Sequence, residues 1–341
     1  MKKSLVAVAG LAVCTAGLVS TSVSVPVRSQ SPTPPPAPID ATVLHVQVLL
    51  DHLGFGPGVI DGRGGMTLKA ALRGFQDALG LTVTGEIDQP TLRALYPYRA
   101  IRPVRALTVS AADASGPYQG PLPKDPAAQA QLPALGYADA LEKLAEKFHT
   151  TPATLAALNP GGKITPGARL RFPNVLPASR QYDPKLKPEW RRTLSDLNIN
   201  AEQPQAERIL VDKSEGVLKV YGADDRLLAQ FPATMGSEHD PLPLGRWKIQ
   251  GASYNPPFHY NPDLFWDAKA KDRKQLLPAG PNGPVGVIWL DLSKPHYGIH
   301  GTPSPETIGR AESHGCIRLT NWDAARLSLM VKPGTPALFQ A

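Results

Sequence analysis

The sequence predicts a multi-domain α+β protein, with a small three-helix domain, a short α/β segment and a mainly β C-terminal domain. Three observations carry this. Apolar residues recur at helical spacing from Val43 to Leu95, broken by Gly-rich turns. Helical spacing returns from Ala140 to Leu158, ahead of a turn and strand at Pro166–Pro173. From Glu207 the period falls to two, with Gly and Pro punctuating short runs. A chain of 341 residues has room for two or three domains, each burying a core.

Met1-Lys2-Lys3 and the apolar run Leu5–Val19 read as a secretory signal over residues 1–29, too short for a comfortable transmembrane helix. Leu11-Ala12-Val13-Cys14 faintly resembles a lipoprotein box, but Val13 is a poor residue to precede a modified cysteine. Removing Lys2, Lys3 and Arg28 takes the formal charge from +7 to +4, a surplus that suits an anionic polymer. Lys and Arg form no long runs and no aromatics stack among them, so nucleic acid is not an expected partner.

Residues 30–40 form a Pro-rich extended linker. In the helical domain, 41–97, Val43, Val46, Leu49, Leu50 and Leu53 mark one helix that Gly54 stops. A second spans about Met66 to Leu79, and Val83-Thr84-Gly85 turns into a short third starting near Gln89-Pro90. Residues 98–133 are rich in Pro, Gly, Ala and Ser and read as a linker, with a strand expected at Arg105–Ser110. In the α/β segment, 134–175, Leu141, Leu144, Ala145 and Phe148 give one helix, and Pro152 opens another that Asn159-Pro160-Gly161 ends. Residues 176–206 are polar and connecting. The β domain, 207–341, opens with a hairpin of Ile209–Val211 and Val217–Tyr221. Its Tyr254–Pro284 insert is too long for a turn and reads as a lid.

The chemistry concentrates near the C-terminus. With the leader removed, Cys316 is the sole thiol and cannot form an internal disulfide. A thiol attacks as its thiolate and needs a histidine to take the proton. His314 stands two positions before Cys316, and His300 ends an expected strand sixteen positions upstream. Gly315 lets the backbone turn tightly and present N–H groups to an oxyanion. No carboxylate is an obvious orienter for the base, so a backbone carbonyl such as that of Gly301 is expected to serve. A catalytic thiol of this kind is expected to react fast below neutral pH.

Tyr297-Gly-Ile-His-Gly-Thr, Ser313-His-Gly-Cys-Ile-Arg-Leu-Thr-Asn321 and Trp322-Asp-Ala, together with Pro243-Leu-Gly-Arg-Trp, resemble the catalytic core of the L,D-transpeptidases, a YkuD-type β-sandwich. Residues 41–97, with Phe75-Gln76 and Val83-Thr84-Gly85, resemble the three-helix peptidoglycan-binding domain. Residues 134–175 resemble a LysM-type module without its usual opening strand. The resemblance makes Cys316 the nucleophile and His300 the proton donor and acceptor, with Gly301 orienting the base and Gly315 in the oxyanion hole. Ser313, His314 and Arg318 become substrate contacts. The implied reaction attacks the diaminopimelate carbonyl of a tetrapeptide stem, releases D-alanine and passes the thioester to an amine. Expected partners are peptidoglycan stem peptides and glycan, and a wall-anchored lipoprotein whose lysine is one acceptor. No cofactor or metal is expected, since a single thiolate with strand histidines is a weak zinc set. The expected location is the periplasm or cell wall. The alternatives are a carboxypeptidase or endopeptidase acting on the same polymer, and a wall-binding scaffold without catalysis.

Overall fold

Asp40 opens the first helix: its Oδ1 accepts from the N–H groups of Thr42 and Val43 at 2.8 and 2.9 Å. A computed structural model describes residues 38–266, 268–310, 313 and 315–341. The expected signal sequence, Cys14 and His314 lie outside the described residues. Helices α1 (Ala41–His52), α2 (Met66–Ala78) and α3 (Gln89–Leu95) follow the predicted spacing. Two buried glutamines hold the turns between them. Gln47 Oε1 accepts from Asp61 and Gly62 N–H, and Gln76 Oε1 accepts from Thr84 and Gly85 N–H while its Nε2 donates to Thr91.

Strand β1 (Val104–Thr108) leads through the short helices α4 (Ala111–Ala114) and α5 (Pro126–Gln129) to α6 (Ala140–Lys147), α7 (Pro152–Leu158) and β2 (Arg169–Pro173). β1 pairs antiparallel with β2, Leu107 opposite Leu170. The strand expected near Arg105–Ser110, in the stretch read as a linker, is thus β1, with β2 as its partner. Its Val-Arg-Ala-Leu-Thr pattern is half exposed and gains its strand partner only from distant residues.

Helix α8 (Pro188–Asp196) buries Trp190 and Leu194 in the core of the β domain, so residues 176–206 also contribute more than a connection. There follow β3 (Arg208–Asp212), β4 (Val217–Tyr221), β5 (Leu227–Pro232), β6 (Thr234–Met235) and the long β7 (Gly245–Tyr254). The lid hairpin is β8 (Phe258–Tyr260) and β9 (Gln275–Leu277). The chain closes with β10 (Ile288–Leu292), β11 (Gly298–His300), β12 (Ile317–Arg318), α9 (Asn321–Met330) and β13 (Pro336–Gln340). Nine strands form one sheet in the order β5-β4-β3-β13-β7-β10-β11-β12-β6. β7 turns its corner: residues 245–248 pair with β13 and residues 249–254 with β10, with a register shift at Asp291/Leu292. α9 is buried along its length beneath β10 and β11.

The three helices share cores with both later parts. Leu44, Val48 and Ile60 pack with Leu144, Phe148 and Phe172, while Leu49, Leu68 and Phe75 pack with Leu227. Phe55 bridges to Gln230 in parallel: Gly56 N–H donates to the Gln230 carbonyl at 2.8 Å, and Gln230 N–H donates to that of Gly54 at 3.0 Å. Residues 54–56 thereby cover the β5 edge of the sheet.

All three parts meet at a buried charged cluster. Arg326 Nη1 donates to the Asp51 carbonyl at 2.9 Å and Nη2 reaches Asp51 Oδ2 at 3.3 Å. His149 joins Asp51 Oδ1 at 3.1 Å through Nδ1 and stacks on Trp322, with ring centroids 5.1 Å apart. Burial works to raise the Asp51 pKa, but Arg326 and His149 outweigh it and hold the carboxyl well below the usual range.

Candidate active site

β11 and β12 run parallel, Ile299 opposite Ile317 and His300 opposite Arg318. Period two therefore places Gly298, His300, Cys316 and Arg318 at register positions on one face of the pair. His300, Cys316 and Arg318 line a cavity of about 530 Å³. The lid supplies Phe258, His259 and Tyr260. Trp289 and Tyr297 form further walls, and α5 contributes Pro126 and Gln129 from the inter-domain stretch.

His300 is buried, and its Nδ1 lies 2.7 Å from the Gly301 carbonyl oxygen. A carbonyl only accepts, so Nδ1 carries the proton and Nε2 of the neutral ring keeps its lone pair. Trp289 stacks over the imidazole, and Gly298 makes this possible, because a Cβ there would lie 2.4 Å from the indole. Gly315, at φ +89°, allows a similar approach: a Cβ there would meet Tyr297 at 2.8 Å.

The predicted residues divide into those facing the cavity and those behind it. Ser313 is placed differently from the expected substrate contact. It is buried, its Oγ accepts from Gly236 N–H at 2.6 Å and donates to the Cys316 carbonyl at 2.7 Å. Its hydroxyl is spent on tying the loop before the thiol to the end of β6. Trp289 and Gln129 line the cavity without having been singled out by the sequence. The small residue two positions before His300 was the available signal for the first; nothing local marked the second.

Burial pushes the Cys316 thiol above its ordinary pKa, opposed by the Gly298 backbone hydrogen bond and the Arg318 charge. The thiol also points a weak hydrogen bond at the His296 carbonyl, 3.9 Å away. Burial lowers His300 to about 4, with Arg318 adding to the effect and the Gly301 bond resisting it. Both shifts run toward the uncharged forms of thiol and imidazole, as burial in a dry site requires. Among the described residues no three His, Cys, Asp or Glu side chains converge to hold a metal ion.

The family described as "L,D-transpeptidase catalytic domain" matches residues 206–338, and that described as "Putative peptidoglycan binding domain" matches residues 40–95. A Bacillus licheniformis protein named "Putative L,D-transpeptidase YkuD" is 30% identical over 201 residues, covering 58% of this chain and 91% of that protein. The chain belongs to the L,D-transpeptidase family. A Bacillus subtilis protein of the same name is 56% identical over 55 residues, 16% of this chain and 34% of that one. The Escherichia coli protein named "Probable L,D-transpeptidase YbiS" is 29% identical over 139 residues, 39% of this chain and 44% of that one. Among solved structures, an L,D-transpeptidase from Mycobacterium smegmatis matches with TM-score 0.32 and 23% identity, over 39% of this chain and 58% of that one. This L,D-transpeptidase has peptidoglycan as a partner and a cell-wall-associated function. Among the described residues no helix is long and apolar enough to cross a membrane.

Proposed function

We propose that this L,D-transpeptidase uses Cys316 as its acyl-accepting nucleophile and His300 as its proton acceptor and donor. The observation that carries the reading is the fixed tautomer of His300, whose bond to Gly301 leaves Nε2 basic in the cavity that holds the thiol. In the first step Sγ bonds to the diaminopimelate carbonyl carbon of a tetrapeptide stem, and the thiol proton moves to Nε2. Backbone N–H groups at Gly315 and Cys316 face the developing oxyanion. The carbon–nitrogen bond then breaks, and the imidazolium returns the proton to the departing D-alanine amine. In the second step an acceptor amine attacks the thioester, Nε2 takes its proton, and Cys316 leaves and is reprotonated.

A low imidazole pKa keeps Nε2 unprotonated at neutral pH, and the thiol proton moves to it as the sulfur–carbon bond forms. Arg318, on the same wall, offers a guanidinium to a stem-peptide carboxylate. The three-helix module at 41–97 and the LysM-like unit, here built from 104–108 and 134–175, tether the enzyme to its polymer and raise local substrate concentration. The leader at 1–29 directs export to the periplasm or cell wall.

The test is to incubate the protein with disaccharide-tetrapeptide and read the products by mass spectrometry. A dimer lighter than two substrates by one alanine supports transpeptidation, and tripeptide alone supports water as the acceptor. No product from a protein with intact Cys316 sinks the catalytic reading.

A further inference from the structure

Helix α6 belongs to the LysM-like unit, yet one of its carboxyls reaches behind the His300 loop. Glu146 is only 8% exposed, and its Oε1 accepts a 2.5 Å hydrogen bond from Asn321 Nδ2. Asn321 Nδ2 also donates to the Pro281 carbonyl at 3.1 Å, while Asn321 Oδ1 accepts from Val287 N–H at 3.2 Å. That same oxygen occupies the space two glycines leave open, since a Cβ on Gly301 would lie 2.0 Å from it and one on Gly286 1.9 Å. The amide therefore presses on the peptide whose carbonyl fixes the imidazole. An amide's terminal torsion is soft and its two ends are nearly isosteric. An acceptor-rich carboxyl beside Nδ2 selects one orientation.

We propose that Glu146 is a positioning residue: it orients Asn321, which holds the Gly286 and Gly301 backbones and through them the His300 ring. The inference rests on the reading of His300 as the base. It makes the LysM-like unit a structural part of the reaction centre as well as a tether.

Two further observations support it. The segment before α6 is pinned to the same loop, with Leu135 N–H donating to Ala279 at 2.9 Å, Asn282 N–H donating to Leu135 at 3.0 Å, and Asn282 Nδ2 donating to Glu142 Oε1 at 3.1 Å. A buried carboxyl also costs more than an apolar side chain of similar size. Burial raises this one to about 7, so it is held here against its own solvation.

The experiment measures kcat and KM of the full chain on disaccharide-tetrapeptide for Glu146→Ala, Glu146→Gln, Asn321→Ala and the Glu146→Ala/Asn321→Ala pair. Glu146→Ala should lower kcat roughly tenfold and leave KM within about twofold, the signature of a displaced group rather than lost binding. Glu146→Gln, which keeps an acceptor oxygen, should recover most of that loss. The double variant should be no slower than Asn321→Ala, because both act through one amide. If Glu146→Ala does not melt cooperatively, Glu146→Asp, one methylene short of Asn321, takes its place with the same expected loss. Unchanged kcat, a Gln variant as slow as Ala, or losses that multiply in the double variant would each overturn the proposal. His300→Ala run beside them separates the two readings. Full activity there removes the base assignment, whereas an inactive His300→Ala with an unaffected Glu146→Ala removes only the positioning role.

Discussion

Trp289 lies face to face with His300, ring centroids 5.5 Å apart and planes 17° from parallel. The indole shields one side of the imidazole from water and so contributes to the burial that holds its pKa near 4. Trp289→Ala should let that pKa rise toward the ordinary value. The base must be neutral to act, so the acidic limb of the kcat/KM profile should shift to higher pH. An unmoved limb would show that the indole is not the screen.

The thiol gives a second pH signature. Burial raises Cys316 while Arg318 opposes the rise. Alkylation of the free enzyme by iodoacetamide should follow an inflection above the ordinary thiol value of about 8.5. Arg318→Ala should move it higher still. A plateau already reached at pH 6 would mean a thiolate–imidazolium pair instead.

Asp323 has a fully buried carboxyl, with Arg326 and Thr320 working against the burial. Burial raises it to about 6 from an ordinary 3.8. A raised carboxylate pKa favours folding below the unfolded value, and that contribution is lost as pH climbs through about 6. Asp323→Asn should therefore narrow the gap in melting temperature between pH 5 and pH 8. A gap of unchanged size would count against a protonated Asp323.

Arg326→Ala leaves the buried Asp51 carboxylate with His149 alone in the junction of all three parts. Removing one partner of a buried pair typically costs about 3–5 kcal/mol. Urea unfolding of the variant at pH 7 should show a loss of that order. Asp51 is depressed in the fold, so its own contribution to wild-type stability is present above pH 4 and falls away in acid. A loss below about 1 kcal/mol would mean that the pair is solvated in solution.

Gly315→Ala meets two obstacles, a φ of +89° and the Tyr297 ring at 2.8 Å. The backbone must move, and Cys316 moves with it. Turnover should fall by roughly a hundredfold, while the melting temperature drops by only a few degrees.

What was readable in the sequence was local. The helical spacing of Val46, Leu49 and Leu50 announces α1 without outside help, and the run from Ser313 to Leu319 announces a thiol site. The Gly301 carbonyl could be named because no carboxylate was available and the residue that follows the strand was at hand. Long-range partners were not readable. A strand near β1 was expected, but its partners Leu170 and Phe172 come to it from across four helices. Ser313 looks like a substrate contact until Gly236 is placed against it. His149 and Glu146 carry no motif, and their roles depend on Asp51 and Asn321, which lie about a hundred residues or more away in the chain.

The contact of Phe55 with Gln230 has a consequence for how such an enzyme can be dissected. Beads on a string may be cut and exchanged at will. Here the first bead supplies the seam of the last, and excising it bares the unpaired backbone of β5 as a sticky template. A catalytic fragment beginning near residue 200 should therefore self-associate more readily than the longer chain.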